Sequence, residues 1–137
     1  MTFLSKLVYS KVGKVKHELT KPLLYTTKIL PSSIKTAEEF LITVPVGFPT
    51  DGASIPRLVW TLVGSRFSGL HVEPAVIHDF LYAIHLYSRK KADLIFLEAL
   101  KSCGVSLWKR QIIYRAVRIA GHWAYHRHDN DVENVGN

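Results

Sequence analysis

Residues 74–104, PAVIHDFLYAIHLYSRKKADLIFLEALKSCG, carry the pattern that decides the fold. The first half of this stretch places apolar side chains at helical spacing, which predicts a helix from residue 74 to about residue 87. The second half predicts another helix over residues 90–103, with Gly104 as its stop signal. Because only a very short link joins the two helices, we expect them to lie antiparallel.

The residues before this helix pair are predicted to form a small antiparallel sheet. Three runs of β-favouring residues, interrupted or bounded by proline and glycine, cover residues 15–20, 23–30 and 40–44. A short helix is predicted over residues 55–63, between the candidate N-cap Ser54 and Gly64. The N-terminal part of the chain therefore adds β-structure to an otherwise helical pattern.

A long C-terminal helix is predicted from the N-cap Ser106 to about residue 126. Its apolar face, which we expect to be buried, consists of Trp108, Ile112, Ala116, Ile119 and Trp123. The basic side chains that lie away from this face are Lys109, Arg110 and Arg118. The predicted class is α+β: a small N-terminal antiparallel β-sheet, an antiparallel helix pair and a long C-terminal helix. We expect one globular domain over residues 1–128 and a loose acidic tail over residues 129–137.

The charge is unevenly distributed along the chain. Lysine and arginine number 18 against 11 acidic residues, a formal net charge of +7. Residues 1–35 hold seven lysines and one acidic residue, and residues 101–128 hold six basic residues and no acidic one. This imbalance favours an anionic partner, which is a lipid headgroup surface, an acidic protein or a nucleic acid. The alternative is a solvated basic face that only aids solubility.

Two classes of protein do not fit the composition. A single cysteine, Cys103, cannot form an internal disulfide, which favours a reducing compartment over a secreted, disulfide-stabilised scaffold. The sequence has neither a signal-peptide core nor a run of about 20 apolar residues. We therefore expect no signal peptide and no transmembrane segment.

His78 and Asp93 are the candidate catalytic pair. On the predicted helices, His78 and Tyr82 share a face, and Asp93 lies one turn into the partner helix, so we expect a His78–Asp93 hydrogen bond. A carboxylate that fixes the imidazole tautomer is the usual support for a general base. Asp79 points about 100° away from His78 and is placed to bind a hard cation. The alternative is a core histidine that only holds the helices together.

The loop VPVGFPTDGASIPR, residues 44–57, is rich in residues that set backbone geometry. Such a loop can hold one carboxylate, Asp51, in a fixed place. The alternative is a plain turn that leads into a capped helix.

The order of these motifs resembles a family of small uncharacterised proteins encoded by tailed bacteriophages and prophages. The residues that carry the resemblance are VPVGFPTDGASIPR, then HDFLY at 78–82, then RKKADLIFLEALKSCGV at 89–105. It covers about residues 40–121. The resemblance implies a phage origin, a place in the host cytoplasm during infection or in the virion, and phage tail or capsid proteins as partners.

Residues 74–82 and 92–96 are also similar to the catalytic helix pair of phospholipase A2 enzymes, particularly the short disulfide-free domains of some viral capsid proteins. This resemblance implies that His78 activates water, that Asp79 binds Ca²⁺, that Tyr82 is a supporting hydroxyl and that Asp93 orients the histidine. The usual glycine-rich calcium loop has no recognisable counterpart, and the nearest candidate, residues 48–53, lies farther upstream. As its local substitute, Asp51 is expected to lie near Asp79, with a cation or Arg57 between the two carboxylates because like charges repel at short range.

Two readings of the function follow from these patterns. In the first, the protein is a small phage hydrolase, phospholipase A2-like, that acts on lipid esters. The residues expected to bind its anionic lipid surface are Lys109, Arg110 and Arg118. In the second, it is a non-enzymatic virion or tail component, or an effector that binds a host partner, and the His–Asp pair is structural.

Overall fold

The structure, a computed structural model, describes residues 2–6, 9–11, 17–50 and 72–119. The strands in these residues are β1 (Thr2–Phe3), β2 (Tyr9–Lys11), β3 (His17–Leu19), β4 (Leu23–Thr27), β5 (Phe40–Val44) and β6 (Pro49–Thr50). The helices are α1 (Val72–Ile84), α2 (Arg89–Ser102) and α3, which covers residues 107–119. The predicted α+β class is confirmed.

The strands form two antiparallel three-stranded sheets, in the orders β1-β4-β5 and β2-β3-β6. β4 and β5 pair along their whole length, with Leu23 opposite Val44. Successive side chains of a strand point to opposite faces, so Leu23 and Tyr25 of β4 and Ile42 and Val44 of β5 are all buried on one face. The predicted antiparallel pairing is confirmed for β4 and β5, but the single predicted sheet is divided into two, because β3 pairs with β2 and β6 instead. β1, β2 and β6 are two or three residues long, too short to show a periodic pattern in the sequence.

The link between α1 and α2 is set by local backbone geometry. α1 ends at Ile84, three residues earlier than predicted, because His85 adopts a left-handed conformation with φ of +53°. α2 begins one residue earlier than predicted, after the N-cap Ser88, whose hydroxyl accepts a hydrogen bond from the Lys91 N–H. The predicted stop is confirmed, since Gly104 follows α2 with φ of +82°.

The helix pair is the middle layer of the fold. Its first face packs on β4 and β5, through Val76, Ile77, Leu81, Ala92, Ile95 and Ala99. Its second face meets α3, in a cluster formed by Ala75, Phe96, Leu100, Val105, Ile113 and Val117. Tyr82 on α1 contacts Asp93 on α2. His78 lies one turn before Tyr82 on α1, and it contacts Phe96, which lies nearly one turn after Asp93 on α2. This order confirms that α1 and α2 are antiparallel.

The predicted burial of α3 is wrong. Three residues of the face expected in the core are exposed instead: Trp108, Ile112 and Ile119. α3 has apolar side chains on two sides, and the side that packs on α2 carries Ile113 and Val117, four residues apart. Helical spacing identifies both sides but does not choose between them. The predicted helix over residues 55–63, Trp123 and the predicted tail over residues 129–137 lie outside the described residues.

Candidate active site

The Asp93 carboxylate is the centre of a hydrogen-bonded network that joins all three described helices. Its Oδ1 lies 2.7 Å from Nε2 of His78 and also accepts a hydrogen bond from the Tyr82 hydroxyl. Its Oδ2 accepts a 2.7 Å hydrogen bond from Nη1 of Arg118, and Nη1 of Arg89 lies 3.9 Å away. The hydrogen bond predicted between His78 and Asp93 is confirmed.

Helical geometry brings most of these groups together. His78 and Tyr82 are four residues apart on α1, and their ring centroids are separated by 4.1 Å. Arg89 and Asp93 are four residues apart on α2 and therefore lie on one face of it. Arg118 comes from α3, 25 residues after Asp93, so only the packing of α3 brings it to the carboxylate.

The core of the network is removed from solvent. His78, Tyr82 and Asp93 are each 0% exposed, and the ring of Phe96 covers His78 at a centroid distance of 4.7 Å. The Arg118 side chain is 30% exposed, and Arg89 donates a 2.8 Å hydrogen bond to the Arg118 carbonyl oxygen. The two guanidinium groups therefore connect a buried anion to the protein surface.

The surroundings of Asp93 keep its carboxyl group ionised. Burial by itself would raise the pKa of Asp93, but the hydrogen bond and charge of His78, with hydrogen bonds from Tyr82 and Arg118, outweigh it and lower this pKa. Burial and the Asp93 carboxylate raise the pKa of the Tyr82 phenol, so its hydroxyl stays protonated and donates. The hydrogen bond to Asp93 raises the pKa of Arg118.

This arrangement fixes which ring nitrogen of His78 faces Asp93. An ionised carboxylate only accepts hydrogen bonds, so Nε2 of His78 must carry the proton that it shares with Asp93. An imidazole held by an ionised carboxylate is the arrangement that oriented general bases use.

The residues predicted to bind a cation are only partly described. Asp79 lies on α1 next to His78 and is 9% exposed. Asp51 and Arg57 lie outside the described residues, so the predicted approach of Asp51 to Asp79 stays a prediction. Within residues 2–6, 9–11, 17–50 and 72–119, no group of three or more His, Cys, Asp or Glu side chains is placed to hold a metal ion.

The three basic residues predicted to bind an anionic surface have different surroundings. Nζ of Lys109 lies 5.6 Å from the ring centroid of Trp108, and Nη1 of Arg110 donates a 3.0 Å hydrogen bond to the Val105 carbonyl oxygen. Arg118 was expected to point away from the buried face of its helix, and this is wrong, because the buried Asp93 carboxylate attracts its guanidinium group inward.

The sequence analysis did not identify Arg89 as part of the site. Its signal was present, since a basic residue four positions before an acidic one on a helix predicts an ion pair. The role of Arg118 in the network had no such signal, because nothing local relates α3 to α2.

Comparison with known protein families identifies a family model that covers most of this network. A family model with the description "Protein of unknown function (DUF1353)" matches residues 28–117. The chain belongs to the DUF1353 family. The matched region of the DUF1353 model contains His78, Tyr82, Arg89 and Asp93, and it ends one residue before Arg118.

Two curated proteins of Sinorhizobium fredii (strain NBRC 101917 / NGR234) are similar to this DUF1353 chain. Uncharacterized protein y4jT is 33% identical over 78 residues, which are 57% of this chain and 23% of y4jT. Uncharacterized protein y4iH is 34% identical over 77 residues, which are 56% of this chain and 32% of y4iH. The similarity therefore spans about a quarter and a third of these longer relatives. No solved structure matches the chain.

Proposed function

We propose that this protein is a phospholipase A2-like hydrolase of lipid esters, with His78 as its general base. The observation that carries the proposal is the Asp93 carboxylate, which binds both Nε2 of His78 and the Tyr82 hydroxyl. The resemblance to phospholipase A2 implies these same roles, an orienting carboxylate and a supporting hydroxyl. The similarity of the helix pair and the hydrogen-bond pattern therefore support the same reaction.

The proposed reaction uses the pairing of His78 with Asp93. The His78 imidazole takes a proton from water, and the resulting hydroxide attacks the ester carbonyl carbon to form a tetrahedral intermediate. When that intermediate collapses, the bond to the alcohol oxygen breaks, and the leaving alcohol takes the proton back from the imidazole. The products are a fatty acid and an alcohol. Asp93 stabilises the transient imidazolium, and Tyr82 positions Asp93.

Calcium is part of the resemblance, with Asp79 and Asp51 as its proposed ligands. Asp79 is the one carboxylate next to His78 on α1, and a single nearly buried carboxylate does not by itself make a site for a hard cation. The described residues therefore do not fit a complete calcium site, and the reaction above uses no metal step.

Origin and location are part of the same proposal. The order of the three motifs at residues 44–57, 78–82 and 89–105 supports a phage or prophage origin, with action in the host cytoplasm or in the virion. No helix in the described part of the chain is long and apolar enough to span a membrane. Mass spectrometry of purified particles and of the infected-cell lysate would distinguish the two locations.

The test of the hydrolase proposal is release of fatty acid from vesicles of phosphatidylglycerol and phosphatidylcholine, with calcium or with chelator. We expect His78→Gln to lower the rate by at least about 100-fold, because glutamine retains an amide donor for Asp93 but is not a base. Tyr82→Phe should lower the rate less, because it removes one hydrogen bond from Asp93 and leaves the base in place.

The control for this test is Tyr87→Phe. Tyr87 is also buried, and its hydroxyl donates a 2.8 Å hydrogen bond to the Ile29 carbonyl oxygen, away from His78. This variant should lose stability comparable to that of Tyr82→Phe and keep full activity. Wild-type protein that releases no fatty acid under either condition would overturn the hydrolase proposal.

A specific observation favours a second candidate function, a non-enzymatic virion, tail or host-binding protein. His78 is completely buried, and two arginines already neutralise Asp93, which is the pattern of a polar network that fixes helix packing. In that case His78→Gln lowers the melting temperature, and wild-type protein has no hydrolytic activity. The partner would then be a phage tail or capsid protein or an acidic host protein.

A further inference from the structure

α3 carries a second apolar face that is exposed in the described part of the chain. Trp108 is 63% exposed, Ile119 is 83% exposed, and Ile112 between them is also exposed. At about 100° per residue, the three side chains lie within about 40° of one another around the helix, on the side away from Ile113 and Val117. We call these three side chains the outer stripe of α3.

Positive charge accompanies the outer stripe. Arg115 is exposed and lies at the edge of the stripe by helical geometry, while Lys109 is close to the Trp108 ring. Residues 101–128 contain six basic residues and no acidic one. A face that combines exposed apolar side chains with positive charge is complementary to a surface that has an apolar interior and a negatively charged boundary.

We propose that the outer stripe of α3 docks the protein on an anionic lipid membrane. Tryptophan and basic side chains are favoured at the membrane interface, and an amphipathic helix binds there with its apolar face in the acyl boundary. Here the opposite face of the helix is anchored to the core by Ile113 and Val117, so α3 presents the stripe as a preformed surface. The inference rests on the proposed action on lipid, and it names the surface that brings the enzyme to its substrate.

The docking surface differs from the basic set expected from sequence. Arg118 is held by Asp93 and Arg110 by a backbone carbonyl, so neither is assigned to lipid binding here. Arg118 lies on the same helix as the stripe, so the helix that carries the docking face also contacts Asp93 of the dyad.

The test is co-sedimentation of the full chain with vesicles of phosphatidylcholine alone and of phosphatidylcholine mixed with phosphatidylglycerol. We expect binding to the mixed vesicles that weakens as salt is raised. The double variant Ile112→Ser with Ile119→Ser should bind at least about tenfold more weakly, because it removes apolar area that would enter the membrane. Both positions are exposed, so the variant should retain its fold.

The matched control is Leu41→Ser, which removes an exposed apolar side chain from β5 and should leave vesicle binding unchanged. Equal binding to both vesicle types, or equal loss in the control and the double variant, would overturn the inference. Light scattering that shows a dimer for the wild type and a monomer for the double variant would also overturn it, because the stripe would then join two copies of the chain. Repeating the binding with His78→Gln separates docking from hydrolysis, since docking should persist when the base is absent. Wild-type protein that binds but does not hydrolyse would refute the hydrolase alone.

Discussion

Asp93→Asn is the sharpest test of how the network is built. The wild-type carboxylate is fully buried and accepts hydrogen bonds from His78, Tyr82 and Arg118. In the variant, the side-chain amide oxygen takes the place of one carboxylate oxygen and can still accept a hydrogen bond. The amide nitrogen takes the place of the other oxygen, and because it is a donor it faces a donor of the network without an acceptor. Loss of the charge weakens every remaining bond, since a hydrogen bond to a charged group contributes about 1.5–3 kcal/mol.

The expected loss in the free energy of unfolding is about 3 kcal/mol at neutral pH. Removing one partner of a buried charged pair costs about 3–5 kcal/mol, and the lower end applies because Arg118 is 30% exposed and can turn to water. Urea denaturation followed by circular dichroism would measure the difference. The control is Glu98→Gln on the same helix, where the amide oxygen can still accept the Tyr25 hydroxyl, so we expect a loss within about 1 kcal/mol.

The loss should also depend on pH in a defined direction. The pKa of Asp93 is lowered in the folded protein, so its carboxylate contributes stability above the unfolded value of about 3.9 and loses it as the pH falls through the folded value. The difference between wild type and Asp93→Asn should therefore shrink below about pH 4. A loss under about 1 kcal/mol at neutral pH, or a difference that stays constant through this range, would refute the reasoning.

Two further predictions concern the tyrosines and the end of α2. Burial raises the pKa of Tyr82 and Tyr87 above the ordinary value of about 10, so the stability from their neutral form is complete below about pH 10 and is lost at higher pH. Phenolate absorbance near that pH should be the same in folded wild type, Tyr82→Phe and Tyr87→Phe; a drop in either variant would contradict this. Gly104→Ala should lower the free energy of unfolding by about 1 kcal/mol, because a Cβ there meets no neighbour within 4 Å and only the positive φ opposes it. Urea denaturation would measure this loss, and an unchanged free energy of unfolding in Gly104→Ala would contradict the backbone argument.

The helix pair and its polar contact follow from local rules. Apolar spacing predicts α1 and α2, Gly104 predicts the end of α2, and the short link makes the helices antiparallel. Once two antiparallel helices are given, a histidine near the middle of one and an aspartate near the start of the other fall opposite each other. The contact of His78 with Asp93 could therefore be predicted without coordinates.

The packing of α3 could not be predicted in this way. Its sequence offers two apolar sides, and the choice between Trp108 and Ile113 for the core depends on the shape of the surface that α2 presents. The same packing turns Arg118 from an expected surface charge into a partner of Asp93. Periodicity along one chain segment reports which residues share a face, but long-range contacts determine which face is buried and which charges meet.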